Sequence, residues 1–387
     1  MQTELSIVIP CLNEEKSLPY CLQKANDYLS QNKIAGEVIV VDNGSTDDSV
    51  KIATKMNAIV VNEPEKGYGN ALMTGIKKAN GKYVIMGDAD DSYDFSNLSP
   101  FIELLRKGYD LVNGNRFKGE IQETAMPFLH RYLGNPILNF IARLFFSIRV
   151  GDFQCGLRAF DREKILQLDL RATGMEFSSE MIVKAALAKL KLTEIPIILY
   201  PDKRNSPSHL RTWRDGWRYL RFLLLYSPRW LFLLPGIFLL LLGLFGSIFL
   251  VMGPVEIGNK KMDVHTLVYT SAFFLIGFQF IAFYFFSRLY AATHFLLPYQ
   301  EKFLDWFQRY FHLERGLLAG LFLFIAGVVF LIKSVLYWKN VHFGDLDPFV
   351  VLRWVVPSAT LLVLGLQVVI SCFYLSFLTI KSSDRKS

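Results

Sequence analysis

Four carboxylates fall within Asp88-Ala89-Asp90-Asp91-Ser92-Tyr93-Asp94. Like charges this close repel one another, so a site that gathers them commonly holds a divalent cation. Hard oxygen ligands of this kind suit Mg2+ or Mn2+, which often bridge to phosphates. The chemistry on offer is metal-assisted handling of a diphosphate. A bare Asp-x-Asp also serves as a solvated turn or a helix cap, so position has to decide. Directly before it, Tyr83–Met86 is a short apolar run of the kind buried in a parallel sheet, with Gly87 leading into the acidic residues. Ligands of such sheets bind just beyond the carboxyl ends of the strands.

Two other strand ends have the same form. Leu5–Ile9 stops at Pro10 and is followed by Cys11, Leu12, Asn13, Glu14 and Glu15, with a helical pattern from about Ser17. Glu37–Val41 runs into Asp42-Asn43-Gly44-Ser45-Thr46-Asp47. Strand, polar turn and helix in repeated order mean βαβ units, and right-handed crossovers bring Glu14, Asp42 and the Asp88/Asp90 doublet to one edge of a mainly parallel sheet. Asp42 taken alone reads equally as an Asx turn, and Asp47 reads better as a cap on the following helix. Between these strands, Gly67 and Gly69 bracket Tyr68 at the start of a helix. Such a turn offers backbone amides to phosphate oxygens, and serves equally as a tight connection.

Together these residues resemble the family-two inverting glycosyltransferases, in the branch of dolichol-phosphate mannose synthases and polyprenyl-phosphate glucosyltransferases, over roughly residues 1 to 228. The resemblance implies an α/β, GT-A-type nucleotide-sugar domain with a UDP- or GDP-hexose donor and a dolichyl or undecaprenyl phosphate acceptor. It places Pro10, Leu12, Glu14, Asp42, Gly87, Asp88, Ala89 and Asp90 around the donor, with Asp88 and Asp90 on the metal. Leu12 stands where tyrosine is usual, and Ser92 where a glutamine often follows the doublet, leaving Asp91 or water to complete the metal shell. Arg116, in Asn113-Gly114-Asn115-Arg116-Phe117, and Arg131 are the candidates for the acceptor phosphate, because a guanidinium fork stays charged and matches phosphate oxygens. Arg131 reads equally as a helix-surface charge. Asp152 and Arg158, with Cys155 in place of a usual serine, and Glu176 and Glu180 are expected to organise the site. Lys203 or Arg204 would meet the diphosphate. His209 falls where a lysine is usual, and a mostly neutral imidazole would make that contact weaker and pH-dependent.

The chain has 387 residues, 52% of them hydrophobic, and a mean hydropathy of +0.28, too apolar for an ordinary soluble enzyme. The excess lies in Leu231–Met252, Leu267–Phe286, Leu317–Leu336 and Val355–Leu378, each long enough to cross a bilayer. Lys333 lies near the end of the third stretch, where its head can reach the interface. Arg288, Lys302, Arg309 and Arg315 follow the second stretch, and Lys381, Arg385 and Lys386 lie in the tail. This distribution puts both termini in the cytoplasm. A polar Met-Gln-Thr-Glu followed by a strand does not read as a cleavable leader. Cys11, Cys21, Cys155 and Cys372 show no metal or CxxC spacing, which suits a reducing compartment.

Between the halves, Arg211, Arg214, Arg218, Arg221 and Arg229 alternate with Trp213, Trp217, Tyr219 and Trp230. Such a segment lies in the headgroup region of an anionic membrane. With a span beginning at once, membrane contact outweighs nucleic-acid binding, and no nucleic acid is expected as a partner. The net charge of +7 agrees. The expected organisation is a cytosolic glycosyltransferase domain over 1–210, an interfacial helix over 211–230 and a four-helix transmembrane domain over 231–387. Its four spans exceed what anchoring needs and leave faces for a homo-oligomer. Metal-dependent, inverting hexose transfer to polyprenyl phosphate is the leading expectation. A processive polysaccharide synthase is the alternative enzyme, but Arg229-Trp230 and Arg353-Trp354 lack the glutamine three residues before the arginine. A non-catalytic module that binds or moves lipid-linked sugars is the third reading.

Overall fold

The computed structural model describes residues 3–203, 212–293 and 301–379. The chain forms two compact units, Met1–Leu223 and Leu224–Ser387. In the first, strands and helices alternate, with β1, β2 and β4 on the predicted apolar runs: β1 Leu5–Cys11, α1 Leu18–Gln31, β2 Gly36–Asp42, α2 Ser49–Lys55, β3 Ile59–Asn62, α3 Tyr68–Lys78, β4 Tyr83–Met86, α4 Ser99–Arg106 and β5 Leu111–Ile121. A π-helical turn, His130–Gly134, runs into α5 Asn135–Phe146. There follow β6 Arg158–Asp161, α6 Arg162–Leu166, α7 Phe177–Leu187, β7 Leu192–Leu199 and α8 Thr212–Leu225.

Seven strands form one sheet in the order β3-β2-β1-β4-β6-β5-β7. β1 is parallel to β2 and β4, β2 to β3, and β5 to β7, while β6 is antiparallel to both of its neighbours. The central strands are apolar on both faces because helices cover both, with Ile7, Ile9 and Ile85 in one core layer and Val8, Val84 and Met86 in the other. The parallel register sets Cys11 opposite Asp42, so the turns after β1, β2 and β4 leave from the same edge. Reversal of β6 brings Arg158, at its amino end, beside Met86 and Asn113 at that edge too.

In α8 the aromatic residues divide between two faces, and the exposed tryptophans share theirs with arginine. Tyr219, Phe222 and Leu223 are buried, whereas Trp213 is 84% exposed and Trp217 and Arg221 are also open. One stripe packs on the domain and the opposite stripe is left for another medium.

The second unit starts with a π-helical turn, Arg229–Leu233, then α9 Leu234–Met252, the hairpin β8 Val255–Ile257 and β9 Lys260–Met262, α10 Val264–Thr293, α11 Glu301–Tyr310, α12 Leu313–Asn340 and α13 Pro348–Thr379. Among the described residues four helices are long and apolar enough to cross a membrane: Arg229–Met252, Val264–Thr293, Leu313–Asn340 and Pro348–Thr379. They extend beyond the apolar stretches, because hydropathy registers only the part inside hydrocarbon while the helix continues through polar residues. α9 and α10 are antiparallel and approach through glycine: a Cβ on Gly243 would lie 2.3 Å from the Phe274 nitrogen, and one on Gly277 would lie 2.3 Å from the Leu240 nitrogen. α12 and α13 repeat the arrangement through Gly320, Gly327 and Gly365. Without a hydrophobic drive between helices in lipid, such close backbone contact supplies the association. Gln367 donates to Gln279 across α13 and α10 at 3.3 Å, and Arg353 pairs with Asp263 at 2.6 Å.

Gly243→Val should therefore lower stability by about 1–3 kcal/mol through overpacking, whereas Gly216→Ala, in open space on helix α8, should raise it by roughly 1 kcal/mol. Thermal unfolding of the detergent-solubilised chain measures both.

Candidate active site

The turn after β4 distributes its four carboxylates among different partners. Asp88 Oδ1 accepts the Tyr68 hydroxyl at 2.8 Å. Its Oδ2 lies beside Gly156, where a Cβ would come within 2.5 Å. Asp90 Oδ1 accepts the Ser92 hydroxyl at 2.5 Å and the Ser92 amide at 3.1 Å. Asp91 has a left-handed φ of 62° and is buried, with Oδ1 on Lys24 Nζ at 2.8 Å and Oδ2 on Lys203 Nζ at 2.7 Å. Asp94 takes the Ser96 amide and hydroxyl. Asp91, considered above for the metal shell, is thus turned away from the doublet into two ammonium groups.

Asp88 and Asp90 are hard oxygen donors in one turn, and among the described residues no cluster of three or more His, Cys, Asp or Glu side chains could form a closed metal cage. That donor set fits a cation that takes the rest of its shell from a diphosphate and water, as Mg2+ does.

The other residues expected on the donor side form a stitched rim. Asp42 accepts the amides of Gly44 and Ser45, an Asx turn at the end of β2. Asn13 receives the Thr46 amide at 2.8 Å, and the Ser45 hydroxyl takes the Asn13 amide. Glu14 is buried: its amide donates to Ser49 Oγ and its carboxylate accepts Ser17 Oγ at 2.7 Å, at the start of α1. Asp47 joins the Ser49 and Glu15 amides. Burial alone would raise its pKa, but hydrogen bonds from the Ser49 hydroxyl and these amides outweigh it and hold the carboxyl below its ordinary value. Pro10 and Leu12 are half-buried between these turns and Ala89 is buried in the core. Lys203 donates its amide to the Asp90 carbonyl at 3.1 Å, while its ammonium is held by Asp91 and lies 4.2 Å from the Tyr20 ring centroid. Arg204 and His209 lie outside the described residues.

The glycine turn belongs to the same rim but does not lie open. The Gly67 amide donates to Asn43 Oδ1 at 2.8 Å and the Gly69 amide to the Thr173 carbonyl at 2.9 Å. A Cβ on Gly69 would come within 2.1 Å of the Ala172 carbonyl. Both amides considered for phosphate are committed to the protein, and what the turn presents to the site is Tyr68. Burial, followed by the Asp88 charge, raises the Tyr68 pKa well above its ordinary value, so its hydroxyl remains a donor.

Arg116 forms a two-pronged pair with the fully buried Asp152, Nε to Oδ2 at 2.7 Å and a terminal nitrogen to Oδ1 at 2.9 Å. Burial opposes the Arg116 charge, yet Asp152 overrides it and raises the guanidinium pKa well above its usual value. Arg158 contrasts with it. It is wholly buried and donates to the carbonyls of Ser178 and Cys155, with no hydrogen-bond partner for Nε among the described residues, and burial lowers its pKa. Arg131 lies in the π-helical turn against the Tyr132 ring. Glu176 reaches Arg218 at 3.5 Å. Glu180 pairs with Lys184 at 2.9 Å and accepts the amides of Arg171 and Ala172, holding the loop that backs the glycine turn.

Sequence reasoning missed Tyr68 and Lys24 as partners of the acidic turn. Tyr68 was visible only as the residue between two glycines. Lys24 shares no spacing with Asp91, which is 67 positions away.

Asp152→Ala should cost about 3–5 kcal/mol because it strands the buried Arg116 charge, as chemical denaturation would measure. Burial raises the thiol pKa of Cys11 and Cys155 to about 12. At pH 8 they should alkylate roughly a thousandfold more slowly in the folded than in the denatured chain, which mass spectrometry after iodoacetamide treatment would show.

Residues 6–168 match the model of glycosyl transferase family 2, and residues 285–379 match that of the glycosyltransferase family 2 C-terminal transmembrane region. The low-salt glycan biosynthesis hexosyltransferase Agl6 of Haloferax volcanii is 35% identical over 97% of this chain and 89% of that protein. The dolichyl-phosphate hexose transferase of the same organism is 33% identical over 50% of this chain and 82% of that protein. Glucosyl-3-phosphoglycerate synthase from Mycobacterium tuberculosis, solved with Mn2+, uridine-diphosphate and glucosyl-3-phosphoglycerate, is a distant likeness: 20% identity, a TM-score of 0.45, and coverage of 57% of this chain and 77% of that one. The mostly parallel sheet is the GT-A-type nucleotide-sugar fold, and the long apolar helices make the chain an integral membrane protein. This chain is a glycosyltransferase and belongs to glycosyltransferase family 2, with that family's C-terminal transmembrane region.

Proposed function

We propose that the chain transfers a hexose from UDP- or GDP-hexose to a polyprenyl phosphate, dolichyl or undecaprenyl, at the cytosolic face of the membrane, with inversion at the anomeric carbon. The observation that carries this reading is the Asp88/Asp90 doublet at the carboxyl edge of the sheet in a chain whose described residues also include four helices long and apolar enough to cross a membrane. The relative named dolichyl-phosphate hexose transferase supports the lipid acceptor. So does the surface that follows β5: Phe128 (78% exposed), Tyr132, Ile137 and Phe140 stand open in company with Arg131, Arg143 and Arg149, apolar and basic as a lipid-phosphate surface requires. The basic residues of the polar connections support cytoplasmic termini.

Asp88 and Asp90 would hold Mg2+ or Mn2+, which when bound neutralises charge developing on the departing diphosphate. The rim formed by Glu14, Asp42 and their turns would position the nucleotide. A phosphate monoester has a second pKa of about 6 and is largely dianionic at neutral pH, so it attacks the anomeric carbon directly and needs little help from a general base. Arg131 and Arg116, the latter held by Asp152, would draw the acceptor phosphate in. Direct displacement then inverts the sugar and releases the nucleoside diphosphate.

With purified chain, polyprenyl phosphate and radiolabelled UDP- or GDP-hexoses, label should enter an organic-extractable lipid only when Mg2+ or Mn2+ is present. Asp90→Asn should lower the rate by at least about a hundredfold, the scale of losing a main electrostatic contact. Metal-independent transfer, or a polymeric product, would refute the proposal.

A further inference from the structure

Both carboxylates of the doublet give one oxygen to a neutral hydroxyl. Asp90 uses Ser92, two residues along its own turn, whereas Asp88 uses Tyr68, which arrives from a different element. We propose that Tyr68 is a positioning residue, which fixes the Asp88 carboxylate in the orientation that receives the divalent cation. The inference rests on the reading of Asp88 and Asp90 as the cation pair and adds a residue that the reading itself does not use.

The geometry restrains Asp88 from both sides. The phenol donates to Oδ1 at 2.8 Å, and the Gly156 backbone lies so close to Oδ2 that a Cβ there would stand 2.5 Å away. Rotation of the carboxylate would break the first contact and crowd the second. The phenol is itself restrained. Gly67, with φ at 148°, donates to Asn43 and would place a Cβ 2.3 Å from the Thr173 carbonyl, and Gly69 donates to that same carbonyl. The adjoining Arg171 and Ala172 amides are gathered on Glu180, at 2.9 and 2.7 Å. Glu180 therefore acts on Asp88 at a distance, through the 171–173 loop, the glycine turn and the Tyr68 ring. A ligand carboxylate oriented by an outer hydrogen bond binds its ion more tightly, and loss of such a partner typically weakens affinity 10- to 100-fold.

The test uses the full-length chain in detergent and Tyr68→Phe, which keeps the ring and removes only the donor. Mn2+ binding is followed by the electron paramagnetic resonance signal of free Mn2+, alone and with UDP or GDP present, and the Mn2+ dependence of sugar transfer is measured in parallel. The expected result is roughly a tenfold rightward shift of both Mn2+ curves, the lower end of that range, with kcat at saturating Mn2+ within about twofold of the parent and the sugar-donor KM there unchanged. Gly156→Ala, which presses on Oδ2 from the other side, should shift the curves in the same direction and serves if Tyr68→Phe does not fold. Unshifted Mn2+ curves for Tyr68→Phe, or a fall in kcat that saturating metal does not restore, would overturn the role of Tyr68. If Asp88→Asn abolishes Mn2+ binding in the same series, the proposed function survives that failure. Wild-type Mn2+ binding by Asp88→Asn would instead overturn the cation pair, and the Tyr68 proposal with it.

Discussion

Repulsion among the acidic side chains after β4 is the constraint around which the catalytic unit is arranged. Four carboxylates in one short turn are tolerable only if each is compensated separately, and the fold does this by sending them in different directions. Asp91 is turned inward by a left-handed backbone and neutralised by Lys24 and Lys203, from opposite ends of the domain's sequence. Asp94 accepts the Ser96 amide and hydroxyl and lies 3.9 Å from Lys24 Nζ. Asp88 and Asp90 each give one oxygen to a hydroxyl, which orients a carboxylate without cancelling its charge.

Around this turn the sheet edge behaves as a single laced rim. Side chains of Asn13, Asn43, Asp47 and Ser49 all bond to backbone amides or carbonyls of neighbouring turns, so the loops that would surround a nucleotide are tied to one another and not only to their own strands. On the other flank, Arg116 and Arg158 show two ways of burying a guanidinium. The first has a carboxylate in a matching fork, and the second has carbonyl dipoles alone. Burial lowers the pKa of both, and only the direct carboxylate pairing of Arg116 reverses the direction.

β1, β2 and β4 were legible because each is an apolar run closed by a polar turn, whereas β3 and β7 were not anticipated and β5 carries polar residues along its length. The doublet was legible for the same reason, since its place at a strand end follows from topology. The partners were not. Arg116 and Asp152 are separated by 36 positions and Lys24 and Asp91 by 67, and nothing in local spacing encodes such pairs. The glycines of the Gly-Tyr-Gly turn invited a phosphate cradle, yet their lack of side chains answers to the backbone of residues 172–173, which passes too close for any Cβ. In the second unit, hydropathy found the four spans but underestimated their lengths, because it has no term for a helix that keeps its hydrogen bonds after leaving hydrocarbon.

The glycine-lined seams have a consequence for biogenesis. α9 with α10 and α12 with α13 each meet as a helical hairpin whose two arms are neighbours in the chain and whose contacts are made by backbone atoms. A hairpin of this sort completes its seam as soon as its second arm has been synthesised, without waiting for distant segments. The bilayer portion can thus be laid down in two successive installments, and the later pair then joins the earlier through Gln279, Gln367 and the Asp263–Arg353 link.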